Sequence, residues 1–294
     1  MTERRRQLHV VWAGHNRLGE SVLWHPTEQV LYWIDFYGPT VWRWSPGASA
    51  AQSLAISRGK TIGSLAFGPK GRLLVMLDDG VHWLDRISGR LTHFADPNQG
   101  REGIGYNDAK VDHQGRLWVG TYDVAERAPR GALYRIDSSG SGELADCGFV
   151  VSNGPAFSPD GTKLLFSDSI GRQLLVYRLD PKTGRLSERR QFAALDDFGG
   201  LPDGLCVDRE GGVWCAVYGG GRVLHFTPGG QVDQVVEVPA ANTTSCCLGG
   251  KDLRTLFITT GEEPGNEVGG ALFAMEVEVG GLPEPEFDAG RSTL

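Results

Sequence analysis

Carboxylate and carboxamide side chains recur at one position of a repeated segment, four residues before an apolar or aromatic residue. In the six copies of the segment that position holds Glu20, Gly63, Asn107, Asn153, Asp203 and Thr244. Two carboxylates and two amides that converged would offer oxygen ligands to a hard divalent cation such as calcium, magnesium or manganese. The alternative is that each forms a turn, since Asn-Asp, Asn-Gly and Asp-Gly are common turn dipeptides. Glu20 is not a typical turn residue, and the shared position favours the metal site.

These polar residues stand one or two positions before segments that repeat with a period of about 40 to 50 residues, the spacing of propeller blades. Each copy consists of a short apolar strand, a turn rich in Pro, Asp and Gly, and a second apolar strand. A third alternating segment often follows. The copies span residues 21–36, 64–79, 109–123, 154–169, 204–219 and 245–260.

Six such units predict an all-β fold, a six-bladed β-propeller with four antiparallel strands per blade, over residues 1–294 as a single domain. The segment LHVVWA at 8–13 is expected to supply the outer strand of the last blade and to close the ring. A pair of β-sandwiches is the alternative, but a regular repeat without a linker argues against it. The first strand of each propeller blade lines the channel, so the four polar side chains should meet at one mouth.

Composition excludes several classes of function. The 294 residues carry a net charge of −7, so a nucleic-acid partner is not expected. No run of 18 apolar residues occurs, so no membrane span is expected either. The basic run Arg4-Arg5-Arg6 lacks the apolar segment of a signal peptide, which predicts a cytoplasmic protein.

Five cysteines are an odd number, and none falls in a CxxC pair. They are expected to be reduced and mostly buried, with a cross-strand Cys206–Cys215 disulfide as the alternative. The full set is Cys147, Cys206, Cys215, Cys246 and Cys247.

Several ordered motifs resemble the SMP-30/gluconolactonase/regucalcin family of six-bladed propellers. They are LGESVLW, YNDAKVDHQGRLWVGT, SNGPAFSPDG, LPDGLCVDREGGVWCAVYGGGRV and TTSCCLGGKDLRTLFIT. The resemblance implies a divalent-metal hydrolase of sugar lactones, with the metal held by Glu20, Asn153 and Asp203. It places Asn107 between the metal and the substrate. Calcium is the favoured ion, with zinc, magnesium and manganese as alternatives.

The chain departs from the animal members of that family at one substrate contact. Those proteins have an arginine two residues before the asparagine that matches Asn107, whereas this chain has Gly105. Tyr106, Arg101 and Lys60 are the candidates to contact the substrate instead. The partner implied is a small-molecule sugar lactone, bound by a monomer or weak homodimer.

The expected reaction is hydrolysis of an aldonolactone, such as gluconolactone or a pentonolactone, to the sugar acid. The cation would act as a Lewis acid on the carbonyl and the water. Asp203 would be the catalytic residue that orients or deprotonates water while binding metal. The alternatives are a calcium-binding regulatory propeller without catalysis, or hydrolysis of a non-sugar lactone or other ester.

Overall fold

The computed structural model describes residues 7–56 and 58–290, and these form six four-stranded antiparallel sheets arranged as the blades of a β-propeller. The predicted fold class is confirmed. Within the described residues the only helical turns are two 3-10 turns, Pro69–Gly71 and Asp196–Phe198, so no helix there could cross a membrane. The run Arg4-Arg5-Arg6 lies outside the described residues.

In blades one to five the strands follow chain order from the channel outwards. Blade one has β2 Gly19–His25, β3 Val30–Asp35, β4 Thr40–Trp44 and β5 Gln52–Ala55; blade two has β6 Ile62–Phe67, β7 Leu73–Leu77, β8 Gly80–Leu84 and β9 Leu91–Ala95. Blade three has β10 Ile104–Val111, β11 Leu117–Asp123, β12 Gly131–Ile136 and β13 Gly142–Phe149; blade four has β14 Ser152–Phe157, β15 Lys163–Asp168, β16 Gln173–Leu179 and β17 Leu186–Ala194. Blade five has β18 Leu201–Val207, β19 Val213–Tyr218, β20 Arg222–Phe226 and β21 Val232–Glu237.

The sixth blade combines the two ends of the described chain. Its inner strands are β22 Thr243–Gly249, β23 Thr255–Thr260 and β24 Leu272–Glu276, and its outer strand is β1 His9–Trp12. Strand β1 runs antiparallel to β24, with His9 opposite Ala274 and Trp12 opposite Leu272. The predicted closure by the N-terminal strand is therefore confirmed.

The hydrophobic core lies between blades rather than in one central cluster. A separate cluster of buried apolar side chains occupies each of the six junctions between neighbouring blades. At the junction of blades six and one, for example, Phe257 stacks on Trp24 with ring centroids 5.7 Å apart. Because burial of apolar surface supplies most of the folding free energy, each junction depends on both of its blades. The inner strands are thereby held at fixed positions around the channel.

All five cysteines are free, with Cys147 exposed and the other four buried. The alternative Cys206–Cys215 disulfide does not form. Cys215 lies opposite Leu205 and Cys206 lies opposite Trp214, so the two cysteines point to opposite faces of the same sheet. The cysteine facing Cys206 is Cys246 of the next blade, whose Sγ is 3.8 Å away.

Candidate functional site

The structure brings the four polar side chains of the repeat together in one pocket. Glu20, Asn107, Asn153 and Asp203 come from β2, β10, β14 and β18, the innermost strands of four blades, and all four line a cavity of about 150 Å³. Asn153 and Asp203 are only 8% and 6% exposed. Side chains up to 183 positions apart in sequence, as Glu20 and Asp203 are, therefore share one site because the ring closes.

β-Bulges in the innermost strands change the direction of the side chains at the site. The pairing between first and second strands shifts register after Glu20, after Asn153 and after Pro202, and also between Tyr106 and Ala109. Such bulges commonly occur next to active sites, because they let consecutive side chains leave the regular alternation of a strand.

Amide hydrogen bonds fix Asn107 and Asn153. The Asn107 Nδ2 donates to Asn153 Oδ1 at 2.6 Å and to the Ser152 carbonyl at 2.9 Å. The Asn153 Nδ2 donates to Ser169 Oγ at 3.0 Å, and that hydroxyl donates to the Pro202 carbonyl at 2.7 Å. The amide N–H groups are thus directed into the protein wall. This arrangement leaves amide oxygens as the groups available to a cation.

Asp203 carries the clearest sign of a missing partner. Its Oδ1 is buried and makes no hydrogen bond within the described part of the chain. Burial, together with the nearby charge of Asp108, raises the pKa of Asp203 well above its usual range. The pKa of Glu20 is also raised, by burial and by the charges of Asp203 and Asp108. A buried carboxylate without a counter-charge is costly, and a bound cation would remove that cost.

The residues present fit a divalent cation with oxygen ligands. Among the described residues no three His, Cys, Asp or Glu side chains are grouped as a metal site by themselves. Glu20 and Asp203 would therefore need the amide oxygen of Asn153 to complete a ligand set. Mixed carboxylate and amide ligands are typical of calcium and magnesium rather than of structural zinc.

Another carboxylate, Asp108, lies close enough for its charge to act on Glu20 and Asp203, and the repeat pattern did not predict it. It accepts hydrogen bonds from the Ser64 hydroxyl at 3.2 Å and from the N–H groups of Ala109 and Gly154 at 2.9 and 3.0 Å. These bonds tie together blades two, three and four. Asp108 directly follows Asn107, and this position was the signal that could have identified it. In a regular strand the two side chains would point to opposite faces, but the bulge in β10 breaks that alternation.

The other predicted substrate contacts are not among the residues that line the pocket. Tyr106 is 2% exposed and its hydroxyl donates to Asp96 at 2.7 Å, within the core between blades two and three. The exposed side chain of Arg101 donates to the Arg130 carbonyl at 3.4 Å. Lys60 is exposed, and its backbone N–H donates to Asp78. Tyr106, Arg101 and Lys60 therefore have no assigned contact with a ligand in this pocket.

Aromatic side chains form the wall of the pocket instead, and the repeat pattern gave no signal for them. They come from the ends of second strands and from the loops that follow. The residues are Phe36, Tyr37, Tyr122 and Tyr218.

Gly154 packs closely against blade five beside the site residue Asn153, and we expect Gly154→Ala to destabilise the protein. Its φ is +46°, and an added Cβ would lie 2.7 Å from Leu205 Cγ and 2.8 Å from the Asp203 carbonyl oxygen. The combined strain and clash should lower the free energy of unfolding by about 3 kcal/mol in a urea titration. Gly100→Ala is the matched control, because Gly100 has φ +65° with nothing within 4 Å of an added Cβ. Equal losses in the two variants would mean that the close approach at Gly154 has no energetic importance.

Comparison with known proteins agrees with this architecture. Residues 18–262 match the family described as SMP-30/Gluconolactonase/LRE-like region. A 6-deoxy-6-sulfogluconolactonase of Pseudomonas putida is 34% identical, covering 92% of this chain and 94% of its own length. A pentonolactonase of Haloferax volcanii is 32% identical, covering 92% and 95%. The crystal structure of a calcium-binding protein, regucalcin, from Agrobacterium tumefaciens superposes with a TM-score of 0.89 at 26% identity, covering 95% and 96%. With a family match over most of its length and relatives above 30% identity, this chain belongs to the SMP-30/gluconolactonase/LRE-like family.

Proposed function

We propose that the protein hydrolyses a sugar lactone, such as gluconolactone or a pentonolactone, to the open-chain sugar acid with the help of a divalent cation. The observation that carries the proposal is the buried, unpartnered Oδ1 of Asp203 in a pocket shared with Glu20, Asn107 and Asn153. The names of two relatives, a sulfogluconolactonase and a pentonolactonase, support a lactone as the substrate.

Glu20, Asn153 and Asp203 would hold the cation, and calcium is the ion that their oxygen atoms favour. When bound, the cation supplies Lewis-acid polarisation of the lactone carbonyl. The two carboxylates would balance its charge. Asn153 would contribute Oδ1, whose orientation is set by the hydrogen bond from Asn107 and by the Nδ2 bond to Ser169.

Asp203 and Asn107 would act on water and substrate. The Oδ1 of Asp203 has no protein donor, so it can accept a hydrogen bond from the attacking water and take its proton. The water oxygen forms a bond to the carbonyl carbon, the ring C–O bond breaks, and the ring oxygen receives the proton that Asp203 took from water and becomes a hydroxyl. Asn107 would position the substrate by accepting a hydrogen bond from a substrate hydroxyl at its Oδ1, because both N–H groups of its amide already donate to Ser152 and Asn153.

A calcium-binding propeller without catalysis is the second candidate. It is supported by the similarity to the solved structure of regucalcin, a calcium-binding protein. The same oxygen ligands would serve either function, and the two differ only in whether lactone is turned over.

The test is proton release from a panel of hexono- and pentonolactones, together with a non-sugar lactone. We expect metal-dependent turnover of at least one sugar lactone, which stops after chelation and returns when calcium is added. Glu20→Gln should weaken activity strongly, whereas Glu188→Gln, on the outer strand of blade four, serves as the matched control. Calcium binding with no turnover across the panel would favour the second candidate. Turnover of only the non-sugar lactone would overturn the sugar assignment.

A further inference from the structure

The aromatic wall of the pocket includes Tyr122, whose ring occupies the space that a side chain at Gly105 would fill. An added Cβ at Gly105 would lie 2.4 Å from Tyr122 Cε1 and 2.9 Å from its Cζ. The Tyr122 ring therefore lies directly against the backbone at position 105, and any larger residue there would displace it. Burial raises the pKa of Tyr122 to about 12, so its hydroxyl stays protonated near neutral pH and can donate a hydrogen bond.

Neighbouring rings extend this surface. Phe36 lies 6.2 Å from Tyr122 and 4.9 Å from Tyr37, measured between ring centroids. Tyr218 lines the same pocket from the end of β19. Tyr37 and Tyr218 are 48% and 37% exposed, which is high for aromatic side chains without a bound partner. Rings of this kind bind the apolar C–H face of a ring-shaped ligand, and polar groups at the edge fix its orientation.

The charge of the pocket points to one class of ligand. The charged residues that line it are Glu20, Glu126 and Asp203, and no lysine, arginine or histidine is among the lining residues. Arg17 is the cation associated with the wall, but it lies over the Tyr37 ring at 5.6 Å and within 4.0 Å of Glu262, and it does not line the pocket. With the proposed cation balancing Glu20 and Asp203, Glu126 is the lining charge that remains, and an anionic ligand group near it would meet no lysine, arginine or histidine of the lining.

Resting on the proposed lactonase function, we propose that this site is specific for uncharged lactones. Tyr122 and its aromatic neighbours bind the ring face of the substrate, and Glu126 at the rim disfavours phosphorylated or sulfonated sugar lactones. Gly105 is a positioning residue for the ring contact, because it makes room for Tyr122.

The first test compares glucono-1,5-lactone with its 6-phosphate, which has the same ring and differs in charge. We expect kcat/KM to be at least about 30-fold higher for the uncharged lactone, as expected for unpaired like charges in a binding site. Comparable values for the two lactones would overturn the specificity while leaving the lactonase function intact. No turnover of these two lactones or of any other sugar lactone in the panel would overturn the lactonase function, and the specificity with it.

Variants separate the charge from the aromatic wall. Glu126→Lys should raise kcat/KM for the 6-phosphate relative to the uncharged lactone by about 10-fold. Glu188→Lys makes the same charge change on blade four, where Glu188 is exposed, and should leave that ratio unchanged. An equal ratio in both lysine variants would contradict a role for Glu126.

The role of the aromatic wall in substrate binding is tested by measuring KM in variants of Tyr122 and Gly105. Tyr122→Ala should raise KM for the uncharged lactone by about 10-fold, and Tyr122→Phe, which keeps the ring, should raise it less. Gly105→Leu should also raise KM, because its side chain competes with the ring. A folded Tyr122→Ala variant, judged by its thermal transition, that retains the wild-type KM would overturn the role of the ring.

Discussion

Replacing Asp203 by Ala is expected to reduce kcat for lactone hydrolysis by about 10³-fold or more, because one change removes both a ligand of the cation and the acceptor for water. No other carboxylate in the pocket can substitute for it. Glu20 lies on a different blade, Glu126 is exposed at the rim, and Asp108 is already engaged by three donors, Ser64, Ala109 and Gly154. The measurement is the initial rate of gluconolactone hydrolysis at saturating calcium.

The thermal transition of Asp203→Ala shows whether the loss of activity comes from a missing catalytic group or from unfolding. Burial disfavours the charged form of Asp203, so its removal should not lower the thermal transition of the metal-free protein. The backbone carbonyl of Asp203, which accepts the Ser167 hydroxyl at 2.7 Å, remains in the variant. Asp197→Ala, in the exposed loop before β18, is the matched control and should keep normal activity. A folded Asp203→Ala protein with near-normal turnover would remove Asp203 from the mechanism.

Deleting residues 1–13 should lower Tm by about 10 °C or more, because it removes the outer strand of blade six. Trp12 lies 5.1 Å from the Trp33 ring and 4.9 Å from the Trp42 ring, between blades one and six. Without β1, the edge of β24 and these rings would be exposed to water. Activity should fall as well, since this closure holds the blade of Glu20 in the ring with the blade of Asp203.

Two point variants refine the closure experiment. Trp12→Ala should account for much of the loss, about 3 kcal/mol in the free energy of unfolding. Val10→Ala, on the same strand but 38% exposed, should cost far less and serves as the control. An unchanged Tm after deletion of the strand would show that the ring is held together without β1.

The fold was predictable because a propeller repeats its pattern. The spacing of strand and turn signals predicted six blades, and LHVVWA predicted the closing strand. The four polar residues could also be selected, since equal positions in the repeat become neighbours around a channel. Their convergence is thus a consequence of symmetry.

The pocket wall could not be predicted in the same way. Tyr37, Tyr122 and Tyr218 lie in or beside loops, where length and conformation differ between blades. Tyr106, predicted to contact the substrate, is next to Asn107 in the sequence. Adjacent residues of a strand, however, usually point to opposite faces. In the structure the Tyr106 hydroxyl reaches Asp96 on the far side of the strand. The space that Gly105 leaves for Tyr122 depends on contacts between strands, which a single sequence does not reveal.

We propose that one divalent cation in this pocket makes the protein a lactonase. The most direct measurement is a calcium titration of the chelator-treated protein that follows bound calcium and gluconolactone hydrolysis in the same samples. We expect both signals to rise together and to saturate at about one ion per chain, and both to be lost in Asp203→Asn. Full hydrolysis by protein that retains no divalent cation, or unchanged calcium binding in Asp203→Asn, would contradict the claim.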